Sequence, residues 1–414
     1  MSHSEYSTRY PVYGYQSDIR STYADLPCQP FWTWLTGKAL RNSIEDGSSD
    51  RRMTSWEFFS LVILNYVVIA LGIGLGCWVF TASVSLTVKV IASLALIVTI
   101  VNRQLNLAHM FHHLAHGVGM NNRAQMQRYF EWLVGVPILH APLARYKGTH
   151  VRNHHGRKSF CTDADPDQQI IVRHGLYKGM PERIFWQRVA FAPFHPARLW
   201  EHVAACLRQS FVDASWSHRI VCGLVWIALV VGVVHWNAWK AFAFYYVLPL
   251  VVLVPHSSWL QHVTEHLWFA DRSEGASVSV FYGHLSWGRF LGRPYPGASN
   301  GPLRAIEVLW WWLKVGLVDI PLRLYVFAAD LSSHDFHHRH PDVPLIHVSA
   351  ARAAHEDMPS SYGPMTETWG IVECLLIQRD HICRGIGDPF GILEWERQTV
   401  GRMAAVQREA ALYD

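Results

Sequence analysis

The sequence predicts an all-α integral membrane protein with about four transmembrane helices in two hairpins and a helical cap on the cytoplasmic side. Three observations predict this fold class. Half of the 414 residues are hydrophobic and only 16% are charged. Several apolar runs reach the length that crosses a bilayer. Twelve of the 25 histidines lie in four short groups, most of them close to these runs, where ionisable side chains usually serve a function.

The first predicted hairpin consists of two apolar runs over residues 58–80 and 84–101. Each run has roughly the 20 residues needed to cross the hydrocarbon core of a bilayer. Because only three residues separate the runs, the two helices are expected to be antiparallel neighbours. The runs 220–234 and 241–254 form a second hairpin, with Asn237 in its turn.

Basic residues are concentrated outside the two turns, at positions such as Arg52, Arg103, Arg145 and Arg157, whereas only Lys240 lies beside a turn. Loops rich in lysine and arginine stay on the cytoplasmic side of a membrane. The pattern therefore predicts that both turns face away from the cytoplasm. Both termini and all four histidine groups are then expected on the cytoplasmic side.

The chain divides into three predicted regions. Residues 1–57 form a cytoplasmic N-terminal segment, residues 58–341 the membrane domain with the histidine groups, and residues 342–414 a cytoplasmic C-terminal region with a helix over 404–412. The first 50 residues contain no apolar stretch typical of a cleavable signal peptide. The scattered basic residues form no stripe for nucleic acid. Seven cysteines without paired spacing indicate reduced thiols.

The histidine groups have the spacing of metal ligands. They are His109, His112, His113 and His116; His150, His154 and His155; His262 and His266; and His334, His337 and His338. Two imidazoles four residues apart on a helix can bind one ion, as expected for His150 with His154. A single histidine is more often structural, but this many convergent imidazoles exceed what one ion can use. Two ions are predicted, and nitrogen ligands suit iron, copper or zinc.

Four motifs carry a resemblance to a known family. They are His112-x-x-x-His116-Gly, Lys147-Gly-Thr-His150-x-x-x-His154-His155, His262-x-x-x-His266 and His334-x-x-His337-His338. They resemble the histidine boxes of the membrane fatty acid desaturase and hydroxylase superfamily, which includes the alkane monooxygenases. The resemblance covers residues 58–341. The segments 162–167 and 341–345 are similar to segments of bacterial acyl desaturases.

The resemblance implies a diiron centre that activates O2. The implied iron ligands are His112, His116, His150, His154, His155, His266, His334, His337 and His338. Further ligands, or side chains that support the ligands, are His109, His113, His262, Asp335, Glu265 and Asp165. His109 and His113 form a second frame with the spacing of the first box. His262 stands where a desaturase often has asparagine.

The expected activity is O2-dependent oxidation of a fatty acyl or alkyl chain, with desaturation of a fatty acid, its thioester or its lipid ester as the preferred reaction. Hydroxylation, oxidative decarboxylation to a terminal alkene and carotenoid ketolation use the same ligands and stay open. A lipid substrate is expected because the spans end at the histidine groups, so that a hydrocarbon can enter from the bilayer.

Electrons are expected from an external carrier, a ferredoxin, a rubredoxin or a b-type cytochrome, because the sequence contains no CxxC pair and no glycine-rich dinucleotide motif. A metal transporter is the alternative from another class. Transport predicts ionisable groups within the membrane, whereas the runs 58–80 and 220–234 contain neither histidine nor charge.

Overall fold

The computed structural model describes residues 19–40, 52–119, 123–272, 276–297 and 301–399. The protein is mostly helical, at 69%, which agrees with the predicted fold class. The helix predicted over 404–412 lies outside the described residues.

The helical elements follow one another along almost the whole described chain. In chain order they are α1 (Gln29–Thr36), α2 (Ser55–Thr81), α3 (Leu86–Ala115), α4 (Arg123–Phe130), α5 (Leu143–Tyr146), α6 (Pro166–Arg173), α7 (Glu182–Phe191), α8 (Pro196–Phe211), α9 (Trp216–His235), α10 (Trp239–Glu265), α11 (Val278–His284), α12 (Pro302–Lys314), α13 (Ile320–Tyr325), α14 (His334–Arg339), α15 (Val348–His355) and α16 (Ile371–Arg384), with further helical residues at 392–399. Tighter 3-10 turns lie at Ile19–Tyr23, Ala192–Phe194 and Leu331–Ser333.

Several segments wind more widely than an α-helix. These π-helical turns are Glu131–Gly135, Lys147–His154 and Val315–Asp319, with Ala243–Val247 and Pro249–Leu253 inside α10. Two short strands, β1 (Gly288–Phe290) and β2 (Glu367–Trp369), pair in parallel with Gly288 opposite Glu367. Wide turns of this kind occur often at functional sites. The turn Lys147–His154 contains His150 and His154.

Four helices in the described part of the chain are long and apolar enough to cross a membrane. They are α2, α3, α9 and α10, with 27, 30, 20 and 27 residues. At about 1.5 Å per residue, 20 residues reach about 30 Å, the thickness of the hydrocarbon core. The prediction of about four apolar spanning helices is confirmed at this level. Each helix extends beyond its apolar run, and α3 continues far enough to include His109, His112 and His113.

Local sequence signals explain where these helices begin. The Thr54 side chain accepts from the backbone N–H of Glu57, whose carboxylate accepts in return from Thr54, and this reciprocal cap starts α2. Ser85 and Ser215 cap α3 and α9 in a similar way. Between α9 and α10, Asn237 adopts a left-handed conformation with φ of 52°, which asparagine tolerates better than most residues.

The outer surfaces of the long helices are apolar, and their contacts with one another use small residues. Gly76 of α2 leaves no room for a Cβ against the ring of Tyr245 in α10, and Gly72 lies against Ile100 of α3. Small residues of this kind let apolar helices approach closely. On the other side of α2, Leu71 and Leu75 are more than half exposed, as expected for side chains that face lipid.

A second hydrophobic core joins the C-terminal part of α10 to α7, α11 and α16. Trp259, Trp268 and Trp287 are among its fully buried side chains. The histidine groups contact both this core and the core formed by α2, α3 and α10. The ring of Phe160, in this core, lies 4.7 Å from that of His266, and the ring of Tyr146, which packs against the other core, lies 5.0 Å from that of His150.

Candidate metal centre

Nine imidazoles meet in one region of the interior and form two groups. The first group is His112, His116, His150, His155 and His337, and the second is His154, His266, His334 and His338. Within each group the candidate ligand nitrogens all lie within 4.8 Å of one another. These nine are the residues that the family resemblance implies as iron ligands. The structure brings all of them together, and either group could hold a metal ion.

Neighbouring histidines belong to different groups. His154 lies in the second group and His155 in the first, while His337 lies in the first group and His338 in the second. Side chains of consecutive helical residues point about 100° apart, so one short segment can supply a ligand to each of two adjoining ions. The pairs of adjacent histidines thus connect the two groups.

The wide turn Lys147–His154 determines how the second motif is distributed. The backbone N–H of His155 donates to the carbonyl of His150 at 3.0 Å, a bond that spans five residues instead of four. This places His155 over His150, and their Nε2 atoms are 3.1 Å apart. His150 and His154 therefore fall in different all-histidine groups, although the sequence predicted that they would share one ion. The two do lie together in a further candidate group with Asp167.

Within each of the two groups, Nε2 atoms of different histidines face each other in pairs. His112 Nε2 lies 2.7 Å from His337 Nε2, and His334 Nε2 lies 3.1 Å from His338 Nε2. Two neutral imidazoles can share only one proton between such nitrogens. Several pairs of facing nitrogens in one pocket are the arrangement expected of ligands that converge on ions.

The opposite ring nitrogens of several ligands have fixed partners. His154 Nδ1 donates to Asp165 at 3.0 Å, and His338 Nδ1 lies 3.0 Å from the hydroxyl of Tyr282. His112 Nδ1 lies 3.3 Å from the hydroxyl of Tyr146. When Nδ1 carries the hydrogen, Nε2 presents its lone pair to an ion. Such partners orient imidazoles and strengthen them as ligands.

Burial keeps most of these imidazoles neutral, the state in which they bind metal. Burial and neighbouring imidazoles lower the pKa of His334 and His338 well below the ordinary value, and they lower the pKa of His116 to about 2. His154 differs. Burial lowers its pKa, but the carboxylates of Asp167 and Asp165 outweigh burial and raise the pKa of His154 to about 9.

Unpartnered nitrogens indicate that the pocket fits metal ions. Both ring nitrogens of His266, Nε2 of His116 and Nδ1 of His337 are buried without a hydrogen-bond partner. A buried polar atom without a partner costs about 1–3 kcal/mol. Bound ions would satisfy His266 and His116 directly. Neutral nitrogen donors of this number and burial match a two-ion site.

The other predicted residues have different surroundings. Glu265 lies 3.7 Å from Nε2 of His334, at the margin of the second group. His262 Nδ1 donates to the carbonyl of Ser258 in its own helix at 2.7 Å, and His262 belongs to none of the groups in the described part of the chain that could hold an ion. His266 lies just beyond the end of α10. Asp335 pairs with Arg352 instead of a ligand imidazole.

His109 and His113 also lie apart from the nine. Their Nε2 atoms approach Asp330, at 2.7 Å and 3.0 Å, and form a third group with it. Because α3 completes a turn every 3.6 residues, the interleaved pairs His109 with His113 and His112 with His116 face different neighbours.

Some residues that support the site were not predicted. Tyr146 lies four residues before His150, a spacing that could have drawn attention to it. Tyr282 and Asp330 have no such local signal. Arg289 is fully buried and donates to the carbonyls of Gln261 and Leu331 at 3.1 and 2.8 Å, thereby joining the end of α10 to the turn before α14.

Substitution of Asp165, the partner of His154, tests whether the group of His154, His266, His334 and His338 binds metal. Replacing Asp165 by asparagine is expected to lower metal affinity about 10–100-fold, the usual effect of removing a partner of a ligand histidine. The matched control is Asp163→Asn in the same turn, because the Asp163 carboxylate accepts from Gln168 and its backbone carbonyl accepts from Gln169, and neither glutamine is a candidate ligand. Competition with a chelator measures both affinities. Equal affinities in the two variants would remove His154 from the ligand set.

The chain thus combines four candidate membrane spans with two adjoining groups of buried histidines, each of which could hold a metal ion. Burial keeps most of these candidate ligands neutral, the state in which imidazoles bind metal, and His154 is the exception. Comparison with protein-family models and with curated proteins finds no match to this chain.

Proposed function

We propose that the protein is a membrane-bound diiron oxidoreductase that uses O2 to desaturate a fatty acyl chain. The observation that carries the proposal is the division of nine buried imidazoles into two adjoining groups of five and four. The resemblance of the four motifs to the histidine boxes of desaturases and hydroxylases supports the choice of iron.

In this proposal each histidine group holds one iron ion, with His112, His116, His150, His155 and His337 around one and His154, His266, His334 and His338 around the other. When bound, such a pair of ions supplies the O2 activation needed to oxidise an unactivated C–H bond. No cysteine is needed as a ligand, and burial raises the pKa of the Cys161 thiol well above its ordinary value, which disfavours the thiolate that would bind metal.

The protein's own residues hold the ligands in place and exclude water. Asp165 fixes the ring of His154, and Tyr282 fixes that of His338. Arg289 fixes the distance between the segments that carry His266 and His334. With these rings held, the ligand nitrogens need little rearrangement during turnover, which is the main contribution that a protein makes to a metal centre.

A lipid substrate is proposed because the ligands continue directly from an apolar helix. α3 has its hydrophobic part at Leu86–Val101 and its ligand His112 three turns later, within the same helix. A hydrocarbon chain lying along the apolar part of α3 would therefore end within about three helical turns of a ligand. The electron donor is proposed to be a ferredoxin, a rubredoxin or a b-type cytochrome.

We also propose that α2 with α3 and α9 with α10 form two membrane hairpins whose turns face away from the cytoplasm. The basic residues around the histidine groups support this orientation. Accessible tags at Ser83 or Asn237 are expected to be labelled only from the non-cytoplasmic side, and a tag at Arg157 only from the cytoplasm. Labelling of Arg157 from the outer side would contradict a cytoplasmic site.

Turnover under 18O-labelled O2 tests the reaction. The iron-loaded protein, supplied with reduced ferredoxin and lipid, is expected to yield a chain with one more double bond, two hydrogens lighter and free of label. A labelled hydroxyl or keto group in the main product would replace desaturation by hydroxylation or ketolation. A terminal alkene one carbon shorter, with carbon dioxide, would indicate decarboxylation. No oxidation of lipid would contradict the proposal.

A further inference from the structure

A third group of candidate ligands lies beside the nine histidines. It consists of His109 and His113 of α3 and Asp330, and its ligand atoms lie within 4.8 Å of one another. All three residues are buried, at 9%, 0% and 5% exposure. The ring of His113 is 5.3 Å from that of His337, so the group adjoins the first histidine group without sharing a residue with it.

The geometry within this group is that of ligands and not only that of hydrogen bonds. His113 Nε2 lies in hydrogen-bonding geometry 3.0 Å from one oxygen of Asp330. His109 Nε2 lies 2.7 Å from the other oxygen, Oδ1. The His109 ring is not aligned with Oδ1 for a well-formed hydrogen bond, although the two groups lie close enough to form an ion pair. This arrangement of His109 Nε2 and Asp330 Oδ1 is expected when the lone pairs of both atoms point to the same cation instead of sharing a hydrogen.

The donor set suits a zinc ion. Two imidazole nitrogens and one carboxylate give three protein ligands, and a water can supply the fourth of the tetrahedral positions that zinc prefers. The turn that presents Asp330 is held in place by Arg323, which donates to the carbonyl of Ala329 at 2.6 Å and to Ser332 at 3.3 Å. The carboxylate is thus fixed before an ion binds.

We propose that His109, His113 and Asp330 bind a third metal ion, a zinc ion with a structural role. The ion ties the last turns of α3 to the turn that precedes His334, and so joins the segments that carry two of the histidine motifs. The site is independent of the proposed oxidase activity, because none of its three residues belongs to either histidine group.

Counting metal per chain tests the proposal. Protein produced with iron and zinc supplied and washed with a weak chelator is expected to contain about three ions, and Asp330→Asn about two. Asparagine can still donate to one imidazole and accept from the other. A simple hydrogen-bonded triad would therefore predict the same metal count in both proteins, and that result would overturn the proposal. His109→Gln is the second variant should Asp330→Asn not fold.

The matched control is His218→Gln. His218 is another buried imidazole beside a carboxylate, 3.2 Å from Glu131, but it belongs to none of the groups that could hold an ion. Its metal count is expected to equal that of the unaltered protein. X-ray absorption at the zinc edge of the unaltered protein is expected to show two nitrogen and two oxygen neighbours, and a shell of imidazoles alone would contradict the assignment.

The outcome separates this proposal from the proposed function. A loss of one ion in Asp330→Asn supports the third site even if no lipid is oxidised. An unchanged count in a protein that does oxidise lipid rejects the third site and leaves the diiron proposal intact.

Discussion

Replacing His155 or His337 by alanine is expected to abolish turnover, with a loss larger than the roughly 100-fold that follows from altering a partner of a ligand. Both imidazoles belong to the five-histidine group, where His337 faces His112 at 2.7 Å and His155 faces His150 at 3.1 Å. Without either ring, the ion proposed for this group would lose one of its five candidate ligands.

Membrane insertion of these variants is expected to be normal, because hydrophobicity and basic loops direct insertion. The matched control is His218→Ala, a buried histidine outside the groups, which is expected to keep its iron and its turnover. Iron content per chain and product formation are the two measurements. If His337→Ala retained both, His337 could not be a ligand and the five-histidine group would be assigned wrongly.

Replacing Arg352 by methionine is expected to destabilise the protein by about 3–5 kcal/mol, the usual cost of breaking a buried ion pair from one side. Arg352 donates to both carboxylate oxygens of Asp335 at 2.9 to 3.1 Å, and Glu356 and Glu367 lie 3.5 and 3.6 Å away. Burial lowers the pKa of Arg352, but these carboxylates raise it above its ordinary value.

The large effect is expected because Asp335 is buried and would lose the guanidinium that donates to both of its carboxylate oxygens. Since Asp335 lies between the candidate ligands His334 and His337, metal retention should decrease as well. Arg145→Met is the control, because Arg145 pairs with Asp213 at the surface with half of its side chain exposed, and such pairs contribute about 0–1 kcal/mol. Thermal unfolding in detergent measures the stability of Arg352→Met and Arg145→Met. Equal stability of the two variants would contradict a structural role for Arg352.

The membrane helices were predictable because their signal is local. An apolar run of about 20 residues is readable without any knowledge of its neighbours, and the turn residues around Asn237 separate two such runs. The helix ends were less predictable. α3 continues to Ala115 because its polar residues beyond Val101 find partners: Gln104 donates to the carbonyl of Tyr246, and Asn102 donates to that of Leu324.

The identity of the clustered histidines was also predictable, but their division into groups was not. Two pairs of histidines four residues apart share a group, His112 with His116 and His334 with His338. The same spacing paired His150 with His154, whereas the wide turn places His155 over His150. The residue pattern of this segment does not predict a π-helical turn, because the formation of such a turn depends on how the segment packs against its neighbours.

By itself, the sequence determined a helical protein with membrane-length apolar helices and indicated which histidines cluster. The signals were apolar runs of bilayer length and histidines at helical spacing beside them. The tertiary structure alone decided which imidazoles face each other and what supports them. His112 meets His337 across 225 positions, and His113 meets Asp330 across 217. Periodicity reports only on residues within a few turns of each other, so contacts at such separations follow from the packing of whole helices.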